Sequence, residues 1–100
     1  MDKSNVINLI DVAYTVDSFG QQIPQETEKQ VFCDIASVSG SEWFEAGRAG
    51  IKPEYKATMF AFDYNGEETA VFNGVRYSIY RTYLGKNESI ELYLERKVGV

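Results

Sequence analysis

Along residues 27–38 the side chains fall into two interleaved sets. Lys29, Val31, Cys33, Ile35 and Ser37 alternate with Gln30, Phe32, Asp34 and Ala36. A period of two marks a strand with one buried face. Residues 6–16, dense in β-branched and apolar types, predict a strand before it. Asp17-Ser18-Phe19-Gly20 predicts the turn between them, with Gly20 free to take positive φ. Pro24 restricts its neighbours, so the second strand is read from Thr27 onward.

The alternation stops at Ser39. Ser39 and Glu42 have the spacing of a capping box, which satisfies orphan amides at a helix start. Helical spacing then puts Trp43, Ala46 and Gly47 on one face and Phe44 and Arg48 on the adjacent one. Gly47 and Gly50 are both candidates for the helix end. A helix over 41–48 is too short to stand alone and needs tertiary or partner contacts. After Pro53 the strand pattern returns over 55–64. Asn65-Gly66 and Asn73-Gly74 predict tight hairpin turns. Residues 75–84 predict a long strand with Tyr77, Ile79, Arg81 and Tyr83 on one face. Gly85-Lys86-Asn87-Glu88 predicts the next turn. Residues 89–98 close the pattern, with Ile90, Leu92 and Leu94 alternating with Glu91, Tyr93 and Glu95. The expected fold is mainly β: a small β-barrel or sandwich of about five to seven mostly antiparallel strands. One short α-helix lies between the second and third strands.

Composition narrows the function. A chain of 100 residues is one domain's worth and leaves little wall to line a deep pocket. Aromatics at 14% exclude a disordered chain. The whole net charge of −5 falls in residues 1–50, while residues 51–100 balance. An acidic balance argues against duplex DNA, whose phosphates need a basic surface. The single cysteine, Cys33, cannot form an intrachain disulfide, which fits a reducing compartment. No apolar run is long enough to span a membrane, and the stretch after Met1 lacks the apolar centre of a signal peptide. The expectation is a soluble protein made in the cytoplasm, with no membrane partner.

The candidate chemistry is thin. The chain has no histidine, so the usual general base is missing. Cys33 sits at an inward-looking strand position beside Asp34, which suits a small buried hydrophobe better than a reactive thiol. The carboxylate pairs Glu26/Glu28, Glu42/Glu45 and Glu67/Glu68 match no calcium-loop spacing. The expectation is therefore no enzyme, no metal and no cofactor. Arg76, Tyr77, Tyr80 and Arg81 interleave cations with aromatics on a strand, as small barrels that stack single-stranded nucleic acid do. Against this, Tyr77, Ile79 and Tyr83 would pack the core while Arg76 and Tyr80 face out, and the net acidity favours that arrangement over phosphate binding. A different signal comes from Trp43-Phe44. Two large rings about 100° apart on a short helix cannot both face one small core. Either Trp43 covers the barrel end with Phe44 partly exposed, or one ring anchors a partner.

These helix residues also carry a family resemblance. Val38-Ser39-Gly40-Ser41-Glu42-Trp43-Phe44-Glu45-Ala46-Gly47 resembles the small-residue, Glu, aromatic, aromatic, x, Ala, Gly signature of the head–tail joining (head-completion, or stopper-like) proteins of long-tailed phages. Phe72-Asn73-Gly74-Val75-Arg76-Tyr77-Ser78-Ile79 is similar to that family's "apolar, x, Gly, x, x, Tyr, x, Ile" strand. Ile90-Glu91-Leu92-Tyr93-Leu94 is similar to its last strand, and Asp17-Ser18-Phe19-Gly20 falls at its early turn. The chain lacks the basic bias of some members. The resemblance implies a small barrel that joins as a homo-oligomeric ring beneath the portal and its adaptor, closes the DNA channel and presents a platform for the tail. Its implied partners are those connector proteins and the tail-completion protein, without sequence-specific nucleic acid. Its implied location is the virion, after synthesis in the bacterial host's cytoplasm. A tail-completion protein of the same joint is the neighbouring alternative. By position, Glu42, Trp43, Phe44, Ala46 and Gly47 are the motif residues of an interface, with Arg48, Lys52 and Glu54 in the same segment. That segment, residues 39–54, resembles the part that gates the channel or contacts neighbours.

Overall fold

The computed structural model describes residues 4–96. The last residues of the strand expected over 89–98 therefore lie outside the described residues. Among these residues six strands form one closed antiparallel barrel. They are β1 (Asn5–Val16), β2 (Gln22–Ser37), β3 (Pro53–Phe60), β4 (Thr69–Phe72), β5 (Val75–Leu84) and β6 (Ser89–Arg96). Their order around the barrel is β1-β2-β3-β6-β5-β4, with β4 returning to β1. One helix, α1 (Gly40–Arg48), joins β2 to β3, and a 3₁₀ turn, Ala61–Asp63, follows β3.

The inward rows are those that the period of two marks. Val31 and Cys33 of β2 meet Ile7 and Leu9 of β1, Ala57 and Met59 of β3, Ala70 of β4, Tyr77 of β5, and Ile90, Leu92 and Leu94 of β6. A barrel of six strands has an interior narrow enough for these side chains to fill it. Tyr55 packs edge-on against Phe72 and Tyr77, with ring centroids at 5.7 and 5.8 Å. Cys33 is fully buried, and burial, with the charge of Asp34 adding to it, pushes its thiol up to about 11.

The turns differ from one another in physical origin. Asn73 and Gly74 both take positive φ, 52° and 76°, and close the hairpin between Phe72 and Val75 as their dipeptide type predicts. Asn65-Gly66 does not close one. Its flanking strands β3 and β4 are not neighbours, so the chain crosses a barrel end instead. The crossing is held by its own side chains. Tyr64 Oη donates to the Glu67 carbonyl at 2.8 Å, and the Asn65 amide donates to Glu67 Oε1 at 2.6 Å. The strand expected over 55–64 accordingly ends at Phe60.

Two further corrections concern β2 and β5. β2 begins at Gln22, five residues before the expected start, and runs through Pro24. Asp17 N–H bonds the Gln21 carbonyl, so ladder bonds between β1 and β2 fall at every second pair from there. Pro24, opposite Tyr14, falls between them, where no ladder donor is needed. In β5 the register shifts between Ile79 and Arg81. The shift inserts Tyr80 and breaks the expected single face: Tyr77 and Ile79 point in, Arg81 and Tyr83 out.

β1 pairs with β4 only from Asn8 to Ile10, and β2 pairs with β3 only from Asp34 to Ser37. Beyond these pairings the β1–β2 hairpin, residues 11–27, leaves the barrel as a two-stranded arm. Arg76 Nη2 ties it back to the wall by donating to Glu26 Oε2 at 3.0 Å. The arm stretches the molecule to 49 × 30 × 23 Å.

Candidate functional site

α1 is defined at both ends by the sequence. Ser39 caps the start, its Oγ accepting from the Glu42 amide at 3.2 Å. The end is a paired reverse bond: Gly50 N–H donates to the Gly47 carbonyl and Ile51 N–H to the Ala46 carbonyl, both at 3.0 Å. Gly50, at φ 81°, is the residue that makes this geometry possible, so Gly50 rather than Gly47 ends the helix.

The helix lies on the outer wall of the barrel, and Glu42 pins it there. Glu42 Oε2 accepts from Tyr80 Oη at 2.8 Å, and Oε1 accepts from the Arg81 guanidinium. Arg81 in turn stacks over the Tyr93 ring, 4.1 Å from its centroid, and Tyr80 leans on the same ring. Tyr93 faces outward on β6 yet is only 9% exposed, because these groups cover it. Burial by itself would raise the Glu42 pKa. The bonds from Arg81 and Tyr80 outweigh it and hold the carboxyl below its ordinary value. Burial, and then the bond to Glu42, push the Tyr80 hydroxyl upward. The unit is an ion pair between one carboxylate and one guanidinium, backed by two tyrosines.

The inward line of α1 is thus Glu42 and Ala46, four residues apart, with Ala46 buried. Trp43 and Gly47 do not share it, contrary to the expected face: both are exposed. Trp43 is 57% exposed and Phe44 65%. Trp43 therefore does not cover the barrel end, and neither ring enters a core. Among the other segment residues, Arg48 forms an exposed pair with Glu45 at 3.6 Å. The backbone N–H of Lys52 donates to Glu95 Oε1 at 3.2 Å, and Glu54 accepts from Arg96 at 3.2 Å. Six of the expected residues, 42–44 and 46–48, sit on α1 itself, while Lys52 and Glu54 lie where β3 begins, tied to β6.

Sequence reasoning missed the partners that hold the helix. Arg76, Tyr77, Tyr80 and Arg81, which interleave in the sequence, do not share one open face. Tyr77 is buried, Arg76 is spent on Glu26, and Tyr80 and Arg81 are spent on Glu42. Tyr83, expected in the core, is 56% exposed. Aromatic rings elsewhere are exposed too: Phe19 at the tip of the arm, 86% exposed, and Phe62, stacked on Phe60 at 5.3 Å. Among the described residues no helix is long and apolar enough to cross a membrane. Neither protein-family models nor curated proteins give a match to this chain, so the family resemblance rests on the motif residues themselves.

Proposed function

We propose that this chain is a non-enzymatic assembly protein of the phage head–tail joint, acting as a closure and tail platform and binding its partners through α1. One observation carries the reading: two adjacent aromatic rings stand exposed on a helix that a partly buried carboxylate fixes in place. Aromatic anchors on a rigid element bind at low entropic cost. Exposed Trp and Phe side by side have no packing role inside the subunit and are free to meet another chain. A joining ring needs head-to-tail contacts between two different patches of each subunit. α1 supplies one such patch, with Trp43, Phe44 and Arg48 on its open side. The net charge of −5 suits a channel through which DNA passes without being gripped.

The test is the double variant Trp43→Ala, Phe44→Ala in a phage that carries this gene. Both side chains are largely exposed, so unfolding stability should move by no more than about 0.5 kcal/mol. Infectious particle yield should fall steeply, with filled heads and free tails accumulating. Normal plaque formation by a folded double variant would refute the interface role.

A further inference from the structure

The β1 side of the arm is an open strand edge, and its chemistry specifies what fits it. Ladder bonds between β1 and β2 alternate from the Asp17–Gln21 pair, so Ala13 and Thr15 spend their backbone groups on β2. Val12, Tyr14 and Val16 therefore turn their N–H and C=O groups the other way. One step down the strand, Asn8 and Ile10 turn theirs to β4. β4 goes no further than Thr69, opposite Ile10, and the chain before it follows β5 instead, with Ile79 N–H bonded to the Glu68 carbonyl. A groove opens between the β1 edge and the loop 66–68. The edge segment Val12-Ala13-Tyr14-Thr15-Val16 has high β propensity, no proline and no charge. Proteins ordinarily block such an edge. A two-stranded ribbon is also only marginally stable until a third strand joins it.

The charge of the groove identifies the third strand. Asp11, Glu67 and Glu68 line it, and no basic side chain does. Glu67 is buried and answered by Lys29 at 3.7 Å, but Asp11 and Glu68 pair with no cation among the described residues. A second copy of this chain fits poorly. Pairing one β1 edge with another about Tyr14 sets Asp11 against Asp17. The other free edge, residues 22–32 of β2, brings Glu26 and Glu28 with Lys29 as its one cation, and Lys29 is already paired with Glu67.

We infer that the β1 edge, from Val12 to Val16, is a strand-addition site for an extended segment of another protein, apolar at alternate positions and carrying lysine or arginine. Backbone bonds to Val12, Tyr14 and Val16 supply the pairing, and the exposed rings and methyls of the same residues take the segment's apolar side chains. Asp11 and Glu68 select the basic residues. The inference stands on the edge itself and is independent of the role of α1.

The experiment uses isotope-labelled full-length protein and two probes. One is a short synthetic peptide in which valine alternates with lysine and threonine, and the other carries glutamate at each lysine. On adding the lysine peptide, the amides of Val12, Tyr14 and Val16 should shift and gain exchange protection, while those of Ala13 and Thr15 hold. Tyr14→Pro removes one edge donor from a position facing Pro24, outside the β2 ladder. It should leave the melting temperature unchanged and weaken binding by about tenfold. The glutamate peptide should bind more weakly than the lysine peptide. The inference is overturned if the lysine peptide leaves the edge amides unmoved, if Tyr14→Pro binds it equally, or if the glutamate peptide binds as tightly. Concentration-dependent protection of the same amides without peptide would place a second copy on the edge, and would overturn it too.

Discussion

Glu42→Ala removes both acceptors that fix α1 to the barrel, and its cost follows from the contacts. The bond from Tyr80 Oη is 2.8 Å long, and the Glu42 side chain is only 13% exposed. A hydrogen bond to an ionised group in such a setting is worth about 1.5–3 kcal/mol. The Arg81 side chain is 44% exposed, so its contribution drops toward that of a surface pair, about 0.2–1 kcal/mol. Together the loss is about 2–4 kcal/mol, a fall in melting temperature of at least about 8 °C. Amides late in α1, such as Gly47, should exchange at least about 30-fold faster, because nine residues of helix do not hold without docking. Chemical denaturation measures the first quantity and native-state hydrogen exchange the second. A cycle with Arg81→Ala gives the coupling, expected at about 0.5 kcal/mol or more. A loss below about 0.5 kcal/mol would show that Glu42 is an ordinary surface residue and that something else holds the helix.

The same contact sets an acid limit. The folded pKa of Glu42 lies below its ordinary value of 4.5, so the stabilisation is complete above that value. It is lost as pH falls through the folded pKa, and the stability curve of Glu42→Gln should lack this limb. Cys33 sets a limit at the opposite end. Its folded pKa is raised from 9.0 to about 11, so the neutral thiol's contribution is complete below 9.0 and declines as pH rises toward 11. Native protein should accordingly resist thiol reagents at neutral pH and react at once in denaturant, and rapid labelling of the folded protein would contradict the burial of Cys33.

Most of the barrel was legible because closed sheets of this size write their inward rows directly into the sequence. Leu92 and Leu94 alternate with Glu91, Tyr93 and Glu95, and Val31 and Cys33 with Gln30, Phe32 and Asp34, and all four face in as the period requires. The failures fall where pairing, not pattern, decides. Nothing in residues 79–81 announces a register shift, since inward and outward residues there are equally bulky. Nor does Asn65-Gly66 reveal that its flanking strands belong to different parts of the barrel: a turn dipeptide specifies a local bend, and the strand order β3-β6-β5-β4 is a long-range fact. The true start of β2 is hidden in the sequence because Pro24 reads as a strand breaker until the hydrogen-bond phase places it at a pair without ladder bonds.

The helix motif shows how a short signature divides its labour. Helical periodicity alone allows either Trp43 or Glu42 to face inward beside Ala46, since both are one turn away. Hydrophobicity favours Trp43, and that preference is misleading here, because the wall beneath α1 is polar: it presents the Tyr80 hydroxyl and the Arg81 guanidinium. A carboxylate satisfies that wall and an indole would leave both donors unpaired, a cost of about 1–3 kcal/mol for each group. Turning Glu42 inward then forces the residues that follow it outward. The exposure of Trp43 and Phe44 is therefore a consequence of what β5 offers, and Arg81→Leu combined with Tyr80→Phe should reverse it: with both donors gone, the helix gains by rolling Trp43 onto an apolar wall. Quenching of Trp43 fluorescence by iodide would then fall in the variant, and unchanged quenching would mean that the rings are held outward by the cap and the Gly50 turn alone.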